Sequence, residues 1–215
     1  MNSDTSMYLN DSVINDYFKL IENQNPSVYC FDTYFYERFG KSKYKSVERW
    51  TKNINIFSKR KVFFPINIIR KNFKHWLLIM ADLEKKQVIY YDSLVNHYEP
   101  EIHINILEYL QQEHERKLGN PLPLQEWEIV KGCNPVQSNG RDCGVFVCVI
   151  AEYLARDASF NFNQSNMASF RALMFYELLN QQLVTVDVDE DLIEGEIYRI
   201  FKRYCNNNMV LNRLY

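Results

Sequence analysis

From Val145 to Ala155 the chain is apolar on nearly every side. A helix with that pattern has no face to give to water, so it must stand in the middle of the protein with other elements packed around it. It also begins abruptly. The residues before it, Pro135-Val136-Gln137-Ser138-Asn139-Gly140-Arg141-Asp142, are mostly polar and turn-forming, and Cys143-Gly144 mark the junction. The sequence therefore sets a thiol at the N-terminus of a buried helix, where the partial positive charge of the helix end favours a thiolate. A cysteine with the ordinary pKa of about 8.5 is only a few per cent ionised at neutral pH, so such a placement is what turns a thiol into a nucleophile.

The segments around that helix are of two kinds. Asn10-Asp11-Ser12 precede Val13, Ile14, Tyr17, Phe18 and Ile21, the pattern of a capped amphipathic helix. Pro26 ends it, and an aromatic cluster from Tyr29 to Phe39 and a mixed segment from Tyr44 to Trp50 follow. Val62–Ile68, Trp76–Ala81 and Val88–Tyr91 are β-branched and aromatic runs that read as adjacent strands, with Trp127–Val130 a further one. Ile102–Glu115 reads as a helix, and Met167, Phe170, Met174 and Leu178 line one face of another. Ile193, Ile197, Ile200, Phe201 and Tyr204 repeat that spacing after the acidic stretch Asp187–Asp191. A strand-rich middle flanked by helices, without internal repeats, predicts an α+β domain. At 215 residues the chain suits one domain.

Asp82-Leu83-Glu84-Lys85-Lys86 reads as a tight turn joining two of the strands. In an antiparallel hairpin about that turn, residues whose numbers sum to about 167 lie opposite each other, and His75 and Asp92 do so. A shift of a residue or two would leave them diagonal neighbours. An imidazole steadied by a carboxylate at the open end of a hairpin is the base that a nucleophilic Cys143 needs. Gln137, on the loop before Cys143, has a side-chain amide able to help the Cys143 backbone N–H hold an oxyanion. Arg141 and Asp142 are assigned to the turn, Asp142 as the helix cap. Cys133 and Cys148 read as packing thiols, and His97, His103 and His114 as surface residues.

Other chemistries lack support. With 25 Lys and Arg against 27 Asp and Glu, the net charge of −2 gives no general attraction to nucleic acid. The six glycines form no phosphate-cradling loop. Five cysteines without a Cys-x-x-Cys, and scattered histidines, fit reduced thiols better than a disulfide framework or a zinc site. No metal, nucleotide or prosthetic group is expected. The N-terminal residues lack the apolar core of a signal peptide, and the longest wholly apolar run, Val145–Ala151, is far short of the ~20 residues of a membrane span. The expected setting is the nucleus or cytoplasm, or a host cell's interior if the protein is a delivered effector.

Several blocks together resemble the SUMO-specific (sentrin-specific, Ulp-type) proteases of the adenain-like cysteine peptidase clan. They are Tyr8-Leu9-Asn10-Asp11, Pro26-Ser27-Val28 leading to Phe31-Asp32-Thr33-Tyr34-Phe35, Tyr44 with Val47-x-Arg49-Trp50-Thr51, and Phe64-Pro65-Ile66-Asn67. His75-Trp76, Tyr91-Asp92-Ser93 and Gln137-Ser138-Asn139-Gly140-x-Asp142-Cys143-Gly144 complete the series. The resemblance covers about residues 8 to 182 and leaves 185–215 as an extension. It implies a papain-like or adenain-like fold with a central mixed sheet flanked by helices, and His75, Asp92 and Cys143 as a triad helped by Gln137. It further implies a monomer that cleaves after the Gly-Gly terminus of SUMO or a related ubiquitin-like modifier, in deconjugation and precursor maturation. Trp76 and Tyr8 take the positions that roof the tail channel, which suits glycine because glycine has no Cβ to collide with its walls. Asp11, Tyr34 and Arg49 match positions that meet the body of the modifier.

The chain departs from that pattern at Tyr8 and Tyr34, where family members usually have Trp and Phe, and in a longer segment, Ile68–Lys74, before His75. NEDD8- or ubiquitin-directed proteolysis is the alternative within the clan. An effector acetyltransferase would share the triad but would need a basic cofactor pocket. A silent binder of ubiquitin-like proteins would have no need of a histidine–aspartate pair beside the thiol.

Overall fold

The computed structural model describes residues 8 to 184, Asn72 and Asn96 excepted. Its centre is helix α4, Cys143–Ala155, in which every residue but Glu152 and Leu154 is buried. The helix runs against strand β3 on one side and helices α1 and α5 on the other, as its all-round apolar sequence requires.

Five strands form one sheet in sequence order: β1 (Val28–Cys30), β2 (Lys61–Arg70), β3 (Phe73–Asp82), β4 (Gln87–Tyr91) and β5 (Glu128–Lys131). The three central strands are antiparallel, and the two edge strands pair in parallel with their neighbours. Helices cover both faces, so β2 and β3 are apolar in runs instead of alternating. Trp76, Leu78 and Met80 join the core under α1 (Asp11–Gln24), α4 and α5 (Met167–Asn180). Leu77, Ile79 and Ala81 join the core under α2 (Tyr34–Ser42) and α3 (Pro100–Leu118). This is the mixed sheet flanked by helices expected of the papain-like α+β fold.

Local signals explain the boundaries. Asn10 caps α1 by accepting a hydrogen bond from the Val13 amide at 3.0 Å. α3 opens on Pro100 and closes on Gly119, whose φ of 76° is the left-handed conformation suited to glycine. Pro65 lies within β2, but β1 pairs only as far as Phe63, so the missing N–H deprives no neighbouring strand. The aromatic cluster resolves into β1 and α2. Phe31, Phe35, Phe39, Phe64 and Tyr109 pack ring against ring there, within a core that also holds many aliphatic side chains. The 193–204 periodicity lies outside the described residues.

The hairpin register differs from the one expected. Leu78 faces Tyr91 and Asp82 faces Gln87, so opposite residues sum to 169 and the loop is Leu83–Lys86. Lys86 turns the chain with a φ of 56°. β2 and β3 also run past the end of β4, pairing as far as Arg70 and Phe73. The segment before His75 is thus the tip of a long hairpin.

Close approach to Tyr91 constrains the strand edge beside the site. The Gly132 amide continues the β5 ladder by donating to Tyr90 O at 2.8 Å. A Cβ built on Gly132 would lie inside the contact distance of the Tyr91 ring. Gly132→Ala should therefore act as overpacking and cost about 1–3 kcal/mol. Urea unfolding with an unchanged m-value would register it as a lowered midpoint, and a midpoint equal to the parent's would contradict the packing argument.

Candidate active site

Three elements end at one place. His75 lies on β3, Asp92 is the first residue beyond β4, and Cys143 is the first residue of α4. All three are buried, His75 and Cys143 to 1% exposure. The shifted register makes His75 and Asp92 diagonal instead of opposite, yet His75 Nε2 donates to Asp92 Oδ1 at 2.6 Å. The ring also hydrogen-bonds to Cys143.

The proton affinity of His75 follows from these contacts. Burial alone disfavours the imidazolium, but the hydrogen bonds to Asp92 and Cys143 and the negative charge of both outweigh it. The result is a pKa raised from 6.5 to about 9. The arrangement therefore sets a cationic ring beside the Cys143 sulfur, with Asp92 fixing the ring.

Packing brings the thiol to the ring. A Cβ added to Gly144 would come within 2.9 Å of Leu9 Cβ, so glycine lets the head of α4 sit this close to the Tyr8–Leu9 stretch, with Trp76 Cδ1 in ordinary contact distance at 3.4 Å. Trp76 is buried, and its indole N–H donates to Leu9 O at 3.2 Å. The stretch from Tyr8 to Leu9 is thereby tied over the residue next to His75. Tyr8 is half-buried there and Asp11 opens α1 half-buried, whereas Tyr34 at the start of α2 and Arg49 are exposed.

The loop before Cys143 is stitched to the turn after β4. Gln137 donates its amide N–H to Ser93 O at 2.7 Å and accepts from Ser93 Oγ at 2.6 Å. Its side-chain nitrogen donates to Asn139 O at 2.6 Å, which uses one of two N–H bonds. Asp142 makes no side-chain cap. Its carboxylate instead accepts from Asn139 Nδ2 at 2.6 Å, Gln164 Nε2 at 2.8 Å and Arg171 Nη2 at 2.7 Å. Partial burial works against the charge, but these donors hold the carboxyl below its ordinary range. The residue thus anchors the loop to α5, a role in which a long-range ion pair wins over a local cap.

Four readings of single residues change. His103 is buried against Tyr90 and Tyr98, not on the surface. His114 is half-buried, its ring against Phe57 and its Nδ1 donating to Asn120 O at 2.8 Å. Cys133 is exposed, while Cys148 is buried as expected. His97 places Nδ1 2.7 Å from Asp92 Oδ2. No spacing signal marked it, because it reaches Asp92 through an irregular turn. Ligating atoms of His75, Asp92 and His97 lie within 4.8 Å of one another. The contacts of 2.6 and 2.7 Å between them are those of shared protons, shorter than the separation of ligands around a metal ion.

Residues 7–183 match the family described as the Ulp1 protease family, C-terminal catalytic domain. The chain belongs to the Ulp1 protease family. Sentrin-specific protease 2 of Homo sapiens is 39% identical over 187 residues, covering 82% of this chain and 31% of that protein. Sentrin-specific protease 5 of Homo sapiens is 35% identical over 183 residues, covering 84% of this chain and 23% of that protein. The chain thus spans about a third or less of the length of these relatives. The C-terminal Ulp1 protease domain, solved in complex with Smt3, the yeast ortholog of SUMO, superposes with a TM-score of 0.72 at 30% identity, over 81% of this chain and 78% of that one. The Ulp1-like SUMO protease catalytic domain of Chaetomium thermophilum shares the fold, with a TM-score of 0.68 at 22% identity over 87% of this chain and 78% of that one.

Titration of His75 followed by its ring proton signals should give a midpoint near 9. In Cys143→Ala the midpoint should move toward 6.5, because the sulfur no longer favours the cation. A folded pKa above the unfolded one means that the imidazolium stabilises the fold fully below about 6.5, and that this contribution is lost as pH rises through about 9. A parent midpoint at or below 6.5 would contradict the geometry.

Proposed function

We propose that the chain is a cysteine-type isopeptidase and C-terminal hydrolase that cleaves after the Gly-Gly terminus of SUMO or a closely related ubiquitin-like modifier. The observation that carries this reading is the contact of His75 with both Asp92 and Cys143 at the head of a buried helix. Family membership and the likeness to a protease domain solved with a SUMO ortholog support it.

In this reading the Cys143 thiolate attacks the carbonyl carbon of the terminal glycine. The Cys143 backbone N–H and the unbound N–H of the Gln137 amide hold the oxyanion, Ser93 fixing the Gln137 oxygen so that the nitrogen is presented in one orientation. The imidazolium of His75 gives its proton to the leaving lysine amine as the C–N bond breaks, leaving a thioester on Cys143. Water then loses a proton to His75 as it attacks the thioester, and the modifier leaves with a free carboxylate while the thiolate is restored. Asp92 keeps the ring aligned and stabilises its cationic form. Trp76, with Tyr8 and Leu9 beside it, walls the approach to Cys143, where side chains larger than glycine would collide. Asp11, Tyr34 and Arg49 form the outlying contacts with the modifier.

A SUMO probe with a C-terminal vinyl sulfone should form a covalent adduct at Cys143. Labelling by a NEDD8 or ubiquitin probe in place of SUMO would reassign the modifier. Acetylation from acetyl-CoA with no labelling by any probe would move the chain to acyl transfer onto other proteins. Cys143→Ala should abolish turnover and keep SUMO binding, and turnover retained by this variant would refute the nucleophile.

Trp76→Ala should raise KM for a SUMO substrate as well as lower the thermal midpoint. A KM equal to the parent's would remove Trp76 from the channel and leave it a core residue.

A further inference from the structure

Asp92 is a carboxylate with its side chain 1% exposed, and both of its oxygens are engaged. Oδ1 accepts from His75 Nε2 at 2.6 Å and from the Leu94 amide at 2.8 Å. Oδ2 accepts from His97 Nδ1 at 2.7 Å. The two imidazole rings therefore sit on opposite oxygens of one carboxylate, edge to face, with centroids 5.2 Å apart. His97 is itself held in place. Its Nε2 lies 3.6 Å from Glu99 Oε1, and the same Glu99 oxygen accepts from Arg70 at the tip of the β2–β3 hairpin at 2.7 Å.

We propose that His97 is a positioning residue for the proposed reaction, fixing the rotation of the Asp92 carboxylate through Oδ2 so that Oδ1 stays in line with His75. The inference rests on His75, Asp92 and Cys143 acting as the triad. Its physical basis is torsional. A carboxylate bound through one oxygen still rotates about its Cβ–Cγ bond, and the broad torsional wells of such a group oppose this only weakly. A second charge-assisted hydrogen bond to the other oxygen removes that freedom. The Leu94 amide shares Oδ1 with His75, so it cannot supply this restraint alone. Ring alignment matters because His75 must hand a proton first to the leaving amine and then accept one from water, each within hydrogen-bond reach.

The arrangement also joins the site to the hairpin tip. Arg70 and Glu99 are exposed or half-buried, yet they end a continuous series of contacts, Arg70–Glu99–His97–Asp92–His75, that leads to the thiol. The long hairpin before His75 thus has a physical link to the ring.

The test uses SUMO carrying a C-terminal aminomethylcoumarin amide and the full chain. His97→Phe keeps a ring against His75 but has no donor for Oδ2, whereas His97→Asn sets an amide N–H near the position of Nδ1. We expect His97→Phe to lower kcat about ten-fold with KM within about two-fold of the parent. His97→Asn should recover most of that loss. Should His97→Phe fail to fold, His97→Leu, smaller and equally without a donor, is read in its place. A kcat within two-fold of the parent in the donor-free variant would overturn the proposal. Equal losses in the donor-free and Asn variants would do so too, because ring packing and not the N–H would then be responsible. A Cys143→Ala control keeps the two ideas apart: turnover in that control would refute the triad itself, not the part given to His97.

Discussion

A carboxylate taken out of water must be met by donors on both oxygens, and Asp92 is the place where this protein satisfies that demand with its functional groups. Removed from solvent without partners, such a charge would be too costly to keep. With His75 and the Leu94 amide on one oxygen and His97 on the other, it remains an acceptor able to favour a cation on His75. The raised proton affinity of that ring is thus a product of burial and pairing together. Burial opposes the cation, and the paired charges are strong enough to reverse its effect.

The second requirement is that a helix carrying the thiol should reach the same point. Helix α4 is buried because its sequence leaves no alternative, but its exact height against β3 is set by small contacts. Gly144 lets it close on Leu9 and Trp76, and Asp142 ties the preceding loop to Arg171 on α5. An ion pair whose partners are only 8% and 7% exposed adds definition more surely than stability, since desolvation offsets much of the attraction. Its effect is to hold the residue before Cys143 still. Ser93 does the same for Gln137, so the oxyanion donors and the base are braced by one turn.

Much of this was legible in the residues. The buried helix, its starting cysteine, the strands on either side of His75 and the capped α1 followed from periodicity and from Asn10, Pro26 and Pro135 as punctuation. The aromatic cluster resisted assignment because rings favour a strand and a core-facing helix alike, and β1 and α2 both lie within it. The register shifted from a sum of about 167 to 169 because the turn is confined to Leu83–Lys86, with Lys86 in a left-handed conformation, so that Asp82 pairs directly with Gln87. His75 and Asp92 still meet because diagonal neighbours on one face remain within side-chain reach.

By itself, the sequence determined which groups do the work and which element must be central, since the charge, size and periodicity of side chains are properties of the chain alone. Tertiary structure decided how those groups are braced: His97 on the far oxygen of Asp92, Asp142 on Arg171 in place of a helix cap, and His103 buried against two tyrosines. Each of these contacts depends on where an irregular turn or a distant helix comes to rest. Short-range spacing carries no record of that position, because it is fixed only when the two cores pack around the sheet.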